Sequence, residues 1–363
     1  MGWVDGRLTF RYPDPGRHLA GVRLEQHASL PGDRLEFDYR DQAWVLDLPA
    51  PDAWRLEYQL RLRHHDGREE TVNDPANPAR VPGAFGDKSV LHRRDYVDPI
   101  WLDLPAARGT WREFTVAAPA LDAEVWIRTW SPPSAGDRVL VAHDGPEFDK
   151  LADLGHYAAA MVGSGALPPF HLVLLGPGDR SDWYSANNAY AATLTDPVLA
   201  RLREELGFEG KVTGMGASLG GLAMLHAQRR TPAVFAGLFL QSGSFFRPRL
   251  DPQESGFRYF QRITRFTGPV VASAFAAHPV PTALTCGTVE ENLANNREMA
   301  DALARQGYPA QLVEVPDGHH FIGWRDAFDP HLTRLLARSW GETSWSLGSW
   351  GPGSWGRGSK SGG

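Results

Sequence analysis

Residues 211–230 read KVTGMGASLGGLAMLHAQRR, and the reading of this stretch decides the fold. Residues 211–217 form a short apolar run of strand length, and residues 222–230 carry apolar side chains at helical spacing. Between them Gly216, Ala217, Ser218, Leu219 and Gly220 make a GxSxG pattern. A serine on a sharp strand-to-helix turn projects its hydroxyl above a sheet, and the flanking glycines avoid clashes that a Cβ would cause. The pattern predicts a nucleophilic Ser218 on a fold in which strands feed helices.

Working outward, the same rhythm runs from about residue 120 toward the C-terminus. Strand-length runs such as AEVWIRTW, RVLVAH, FHLVLLG, FAGLFLQSG, PTALTCG and AQLVEVP alternate with amphipathic segments such as FDKLADLGHYAAAMV and NREMADALARQG. Alternation of this kind predicts an α/β domain with a mostly parallel central sheet over residues 116–340. Residues 1–115 differ, with short alternating segments RLEFDYR, AWVLDL and WRLEYQLRL that predict a smaller β-sandwich module able to act as a lid over substrate. Residues 73–91 hold so much Pro and Gly that a long loop or extended connection is expected there. In residues 341–363 Gly and Ser dominate, and tryptophans recur every five residues at Trp345, Trp350 and Trp355, continuing from Trp340; this tail is expected to be disordered.

Composition narrows the class. Lys and Arg number 37 against 43 Asp and Glu, a net charge of -6 with both signs scattered, so neither nucleic acid nor an anionic membrane is an expected partner. A small-molecule partner is expected instead. Cys286, the one cysteine, excludes intrachain disulfides and reads as a small buried apolar residue. The N-terminal stretch has neither a basic nor an apolar leader segment, and no run reaches membrane-spanning length, so a cytoplasmic location is expected. Cysteine and histidine spacings match no zinc pattern, no GxGxxG opens a helix, and neither metal nor organic cofactor is expected.

A serine hydroxyl needs a base. The segment VPDGHHFIGW follows the last predicted strand, and His319 is the first choice there, with His320 the alternative. The imidazole in turn needs a carboxylate, and the loop after PTALTCGT supplies Glu290 and Glu291, of which Glu290 lies nearer the strand end. Asp317 is a rival two residues before His319. An oxyanion formed during acyl transfer needs two backbone N–H groups. Leu219, directly after the serine, offers one; the HDGPEF turn offers the other through Gly145 or Glu147, because Pro146 has no N–H. In the GDRSDWY loop Arg180, Asp182 and Trp183 are candidate substrate contacts, with an internal ion pair from Arg180 to Asp182 or another loop carboxylate as the competing reading.

At this point the residues resemble a known family. VLVAHDGPEF, GDRSDWYSANNAY, GMGASLGG, CGTVEENLANNR and DGHHFIGWRDAF follow, in order, the motifs of the enterochelin esterase group within the esterase D branch of α/β-hydrolases. The segment DPANPARVPGAFGDKSVL is similar to the end of the Ig-like, isoamylase-N-type module that precedes the catalytic domain in siderophore esterases. The resemblance implies a serine carboxylic-ester hydrolase, acting in its best-known members on the lactones of ferric siderophores such as enterobactin. It implies Ser218 as nucleophile, His319 as base and Glu290 as acid. In many relatives a glutamate follows the loop arginine by three residues, and Trp183 stands there in this chain. Three rival functions are an acyltransferase using the same residues, a general small-ester hydrolase or peptidase, and a catalytically weak carbohydrate-binding protein.

Overall fold

The computed structural model describes all residues except 1, 5, 31–34 and 342–363, so the expectation for the tryptophan-containing tail lies outside the described residues. In chain order the N-terminal strands are β1 (Gly2–Val4), β2 (Arg7–Pro13), β3 (Leu19–Gln26), β4 (Asp38–Arg40), β5 (Ala43–Pro49), β6 (Arg55–His64), β7 (Glu69–Val72), β8 (Arg80–Val81) and β9 (Lys88–His92). They form two antiparallel sheets, ordered β1-β2-β5-β4 and β3-β6-β9-β8, with β7 also paired to β6. Strands place successive side chains on opposite faces. Leu8, Phe10, Leu46 and Leu48 of one sheet accordingly meet Leu24, Leu56, Tyr58, Leu60 and Leu62 of the other in one apolar core. On β6 the intervening Arg55 and Glu57 face the other way, yet both are buried.

The connection expected over residues 73–91 is instead partly regular: β8 and the start of β9 lie inside it. Pairing of β9 with β6 and of β8 with β9 supplies hydrogen bonds that local composition does not announce.

The C-terminal strands are β10 (Thr110–Ala118), β11 (Ala123–Ser131), β12 (Val139–Ala142), β13 (His171–Leu175), β14 (Val212–Ala217), β15 (Phe235–Gln241), β16 (Thr282–Gly287) and β17 (Ala310–Val315). They make one sheet in the order β10-β11-β13-β12-β14-β15-β16-β17. From β13 to β17 all neighbours are parallel, while β10–β11 and β11–β13 are antiparallel. Helices cover both faces, and along β12 Val139 and Val141 enter one apolar cluster whereas Leu140 and Ala142 enter the other. Such two-sided burial is why the central strands read as unbroken apolar runs.

Two boundaries differ from expectation. β10 runs straight through residues 115 and 116 and pairs along its whole length with β11, so the change of architecture falls before Thr110. The segment read as one helix after β12 is two, Gly145–Ala152 and Leu154–Gly163, broken at Asp153 by a left-handed φ of 52°. Among the described residues no helix is long and apolar enough to cross a membrane.

Candidate active site

The site begins at the end of β14. Ser218 has φ 54° and ψ -125°, a backbone region that costs a non-glycine residue about 1–3 kcal/mol. Its amide donates to Gln241 O at 2.9 Å, and its carbonyl accepts from Leu222 and Ser244, so both sides of the turn are pinned. A Cβ at Gly216 would lie 2.4 Å from the carbonyl carbon and oxygen of Gly220, so only glycine lets strand and helix approach this closely. Ser218 stands at the head of the buried helix Leu219–Arg230, whose first-turn N–H groups have no intrahelical acceptor. Its Oγ lies 3.2 Å from Ser244 Oγ.

Leu219 opens that helix, and Gly145 opens the helix after β12. The N–H groups of Leu219, Gly145 and Glu147 are thus first-turn donors at the same edge of the sheet, the C-terminal ends of β12 and β14. A Cβ at Gly145 would come 2.5 Å from Leu174 Cα, so the residue owes its identity to close packing on β13. His143, at the end of β12, joins the two turns. Its Nδ1 donates to Gly220 O at 2.9 Å, and burial pushes the fully enclosed imidazole down to about 4.

Further along the same edge of the sheet the loops after β16 and β17 converge. His319 Nδ1 lies 2.7 Å from Glu290 Oε2. A carboxylate only accepts, so Nδ1 carries a proton, and in the neutral ring the lone pair is then on Nε2. Glu290 Oε1 accepts from the Gly287 amide at 2.8 Å and from Ser242 Oγ at 2.7 Å. Ser242 Oγ in turn accepts from Trp324 Nε1 at 3.0 Å, and the Trp324 ring stands edge-on to His319 with centroids 5.0 Å apart. Glu290 is 5 % exposed, whereas Glu291 faces solvent.

His320 points elsewhere. Its Nδ1 is 3.0 Å from Glu57 Oε1 and its Nε2 is 2.9 Å from Asp317 Oδ1. Burial disfavours its charge, but Glu57 and Asp317 together hold its pKa above the ordinary histidine value. Asp317 also accepts from Arg55 Nε at 3.0 Å, and Arg55 reaches Asp326 as well. Asp317, His320 and Asp326 therefore serve the contact between β6 and the histidine loop.

The loop candidates are held internally. Arg180 forms a bidentate pair at 2.7 and 2.9 Å with Asp144 of the HDG turn, a loop carboxylate other than Asp182. Asp182 bonds Arg262 Nη1 at 2.9 Å. Trp183 is 4 % exposed and stacks on Tyr190, because the short helix Arg180–Trp183 turns it inward to the core. Cys286 is buried, and among the described residues no His, Cys, Asp and Glu cluster could hold a metal ion.

Sequence reasoning did not single out Ser242, Ser244 or Trp324. A signal was available in the serines of QSGSFF directly after β15, at the sheet edge that carries Ser218, and in the tryptophan five residues beyond His319.

Comparison with known proteins follows the same lines. The "Putative esterase" family model matches residues 121–335. The iron(III) enterobactin esterase of Dickeya dadantii is 24 % identical, covering 88 % of this chain and 85 % of its own. The crystal structure of the enterobactin esterase FES from Shigella flexneri in the presence of enterobactin superposes with TM-score 0.71 at 18 % identity, over 93 % of each chain. The ferric enterobactin esterase of Salmonella typhimurium gives TM-score 0.71 at 19 % identity, over 94 % of this chain and 96 % of that one. With that match spanning the eight-stranded sheet from β11 onward and both converging loops, the chain belongs to the esterase family and is enterochelin esterase-like.

Proposed function

We propose that the protein is a serine carboxylic-ester hydrolase working through an acyl-enzyme, with Ser218 as nucleophile, His319 as base and Glu290 as the carboxylate that orients it. The observation that carries this reading is the 2.7 Å contact of His319 Nδ1 with a carboxylate whose other oxygen is already bonded to Gly287 N and Ser242 Oγ. It leaves His319 Nε2 as the free base. Ser218 turns from Ser244 toward that nitrogen, gives up its proton and attacks the ester carbonyl. The amides of Leu219 and of Gly145 hold the oxyanion, His319 hands the proton to the leaving alcohol, and water repeats the attack.

The two N-terminal antiparallel sheets, on this reading, are a β-sandwich module that closes on the histidine loop through Arg55 and Glu57. Its support is their shared apolar core and the ion pairs to Asp317 and His320. Esters or lactones of siderophores are the substrates favoured by the likeness to enterobactin esterases along nearly the whole chain.

Ser218→Ala is expected to lower hydrolysis of a short p-nitrophenyl ester at least about a thousandfold; full retained activity would overturn the assignment. Incubation with ferric and apo trilactone siderophores beside simple acyl esters tests the substrate class. If only the simple esters are cleaved, the siderophore reading falls and the esterase reading stands.

A further inference from the structure

The turn after β12 holds a carboxylate in an unusual way. Asp144 stands at the head of the helix Gly145–Ala152, where such a side chain ordinarily accepts from the second or third amide of the helix. Here it makes no bond to the helix, and its φ of 49° and ψ of 39° lie in the left-handed region instead of the extended one usual at this position. Pro146 has no N–H, so the amide that a capping carboxylate would take is that of Glu147.

Arg180 holds the carboxylate elsewhere. Its Nε donates to Asp144 Oδ1 at 2.7 Å and its Nη2 to Oδ2 at 2.9 Å, a fork that fixes both oxygens. Asp144 is buried, its backbone N–H donates to the Tyr184 hydroxyl at 3.3 Å, and the Arg180 guanidinium lies 5.6 Å from the centre of the same ring. The carboxylate is also close to the serine turn, since a Cβ built on Gly220 would lie 3.2 Å from Asp144 Oδ2. An unpaired negative charge there would oppose the negative charge that grows between the Leu219 and Gly145 amides.

We propose that Arg180 is a positioning residue for the oxyanion site. Without touching substrate, it offsets the charge of Asp144 and keeps its carboxylate off the helix head, so that the turn presents its amides to the ester oxygen. The role rests on the serine-esterase reading given above. Loss of Arg180 releases Asp144 toward the ordinary capping geometry, which claims the Glu147 N–H, moves Gly145 and leaves an unpaired charge beside the reacting carbonyl.

The test measures kcat and KM for a p-nitrophenyl ester on the full-length protein, Arg180→Met, Asp144→Gly and the double variant. Active sites are counted by fluorophosphonate labelling, so unfolded protein is not read. Glycine suits the left-handed φ at position 144. Arg180→Met is expected to lower kcat about a hundredfold with KM within about twofold, the size of losing one oxyanion donor. Asp144→Gly loosens the turn and is expected to cost about tenfold, and the double variant to match it, so that removing the carboxylate restores about tenfold of what Arg180→Met loses. A kcat for Arg180→Met within about twofold of the unaltered protein, or a double variant no faster than Arg180→Met, would overturn the proposal; the second result is what an arginine in contact with substrate gives. If Arg180→Met does not fold, Asp144→Gly and the double variant decide alone: equal kcat supports the role, and a further loss of about a hundredfold overturns it. An unaltered protein that neither hydrolyses the ester nor takes the fluorophosphonate would overturn the esterase reading itself, and this role with it.

Discussion

At the scale of single residues the proposed chemistry rests on how Glu290 is held. One oxygen is saturated by Gly287 N–H and the Ser242 hydroxyl, so the other is fixed toward His319. Glu290→Gln keeps the shape but removes the charge that stabilises an imidazolium. It is expected to lower kcat by about a hundredfold to ten-thousandfold, while Glu291→Gln stays within about twofold; p-nitrophenyl ester kinetics on the two variants side by side check this. Ser218, His319 and Glu290 could be picked out in the sequence as candidates because each sits in a short motif next to a strand end, and the structure brings His319 and Glu290 into contact. Ser242 and Trp324 could not be, since their value lies in meeting across 82 positions of sequence. Arg180 and Trp183 show the converse: a loop after a strand end suggests ligand contact, but Asp144 and Tyr190 claim them first.

At the scale of elements, β6 is the piece that sequence pattern leaves half read. Its alternation predicts a sandwich strand, and Leu56, Tyr58, Leu60 and Leu62 do enter the core, but alternation does not tell where the polar positions between them face. Arg55 faces Asp317 and Asp326, on either side of His319, with the side chains of all three 1 % exposed. Burial of a charge in this way is stable only with its partners in place. Arg55→Met leaves buried Asp317 with His320 and buried Asp326 with Arg325 as their remaining charged partners, and is expected to cost about 3–5 kcal/mol in denaturant unfolding. It should also lower kcat more than it raises KM, because the loop it fastens carries the proposed base, His319. Unchanged unfolding and unchanged kcat would show that the contact between β6 and this loop is dispensable. The elbow, by contrast, was legible as an element, because Gly216 and the strand-then-helix rhythm both follow from local sterics.

For the whole molecule, the mixed sheet was legible from about residue 120 onward because two-sided burial leaves continuous apolar runs. Its antiparallel flank, β10, was not legible, since pairing with β11 and not local pattern assigns it to this sheet. Stability should depend on pH through the buried histidines. Burial lowers His143, His226 and His331 to about 4, so between pH 6.5 and 4 the unfolded chain binds protons that the folded chain refuses. Stability from these groups is present above pH 6.5 and is lost as pH falls toward 4, about 3 kcal/mol from His143 alone. His320 acts in the opposite sense, since its raised pKa contributes stability that fades as pH rises above 6.5. Denaturant midpoints across pH 4–9 should therefore fall on the acid side, less steeply in His143→Gln. The central claim, that Ser218 carries the acyl group and His319 activates it, is tested most directly by intact-protein and peptide mass spectrometry after treatment with a fluorophosphonate. The account expects one phosphonyl adduct, on Ser218, and its loss in His319→Ala. An adduct on another residue, or hydrolysis that continues with Ser218 unlabelled, would contradict it.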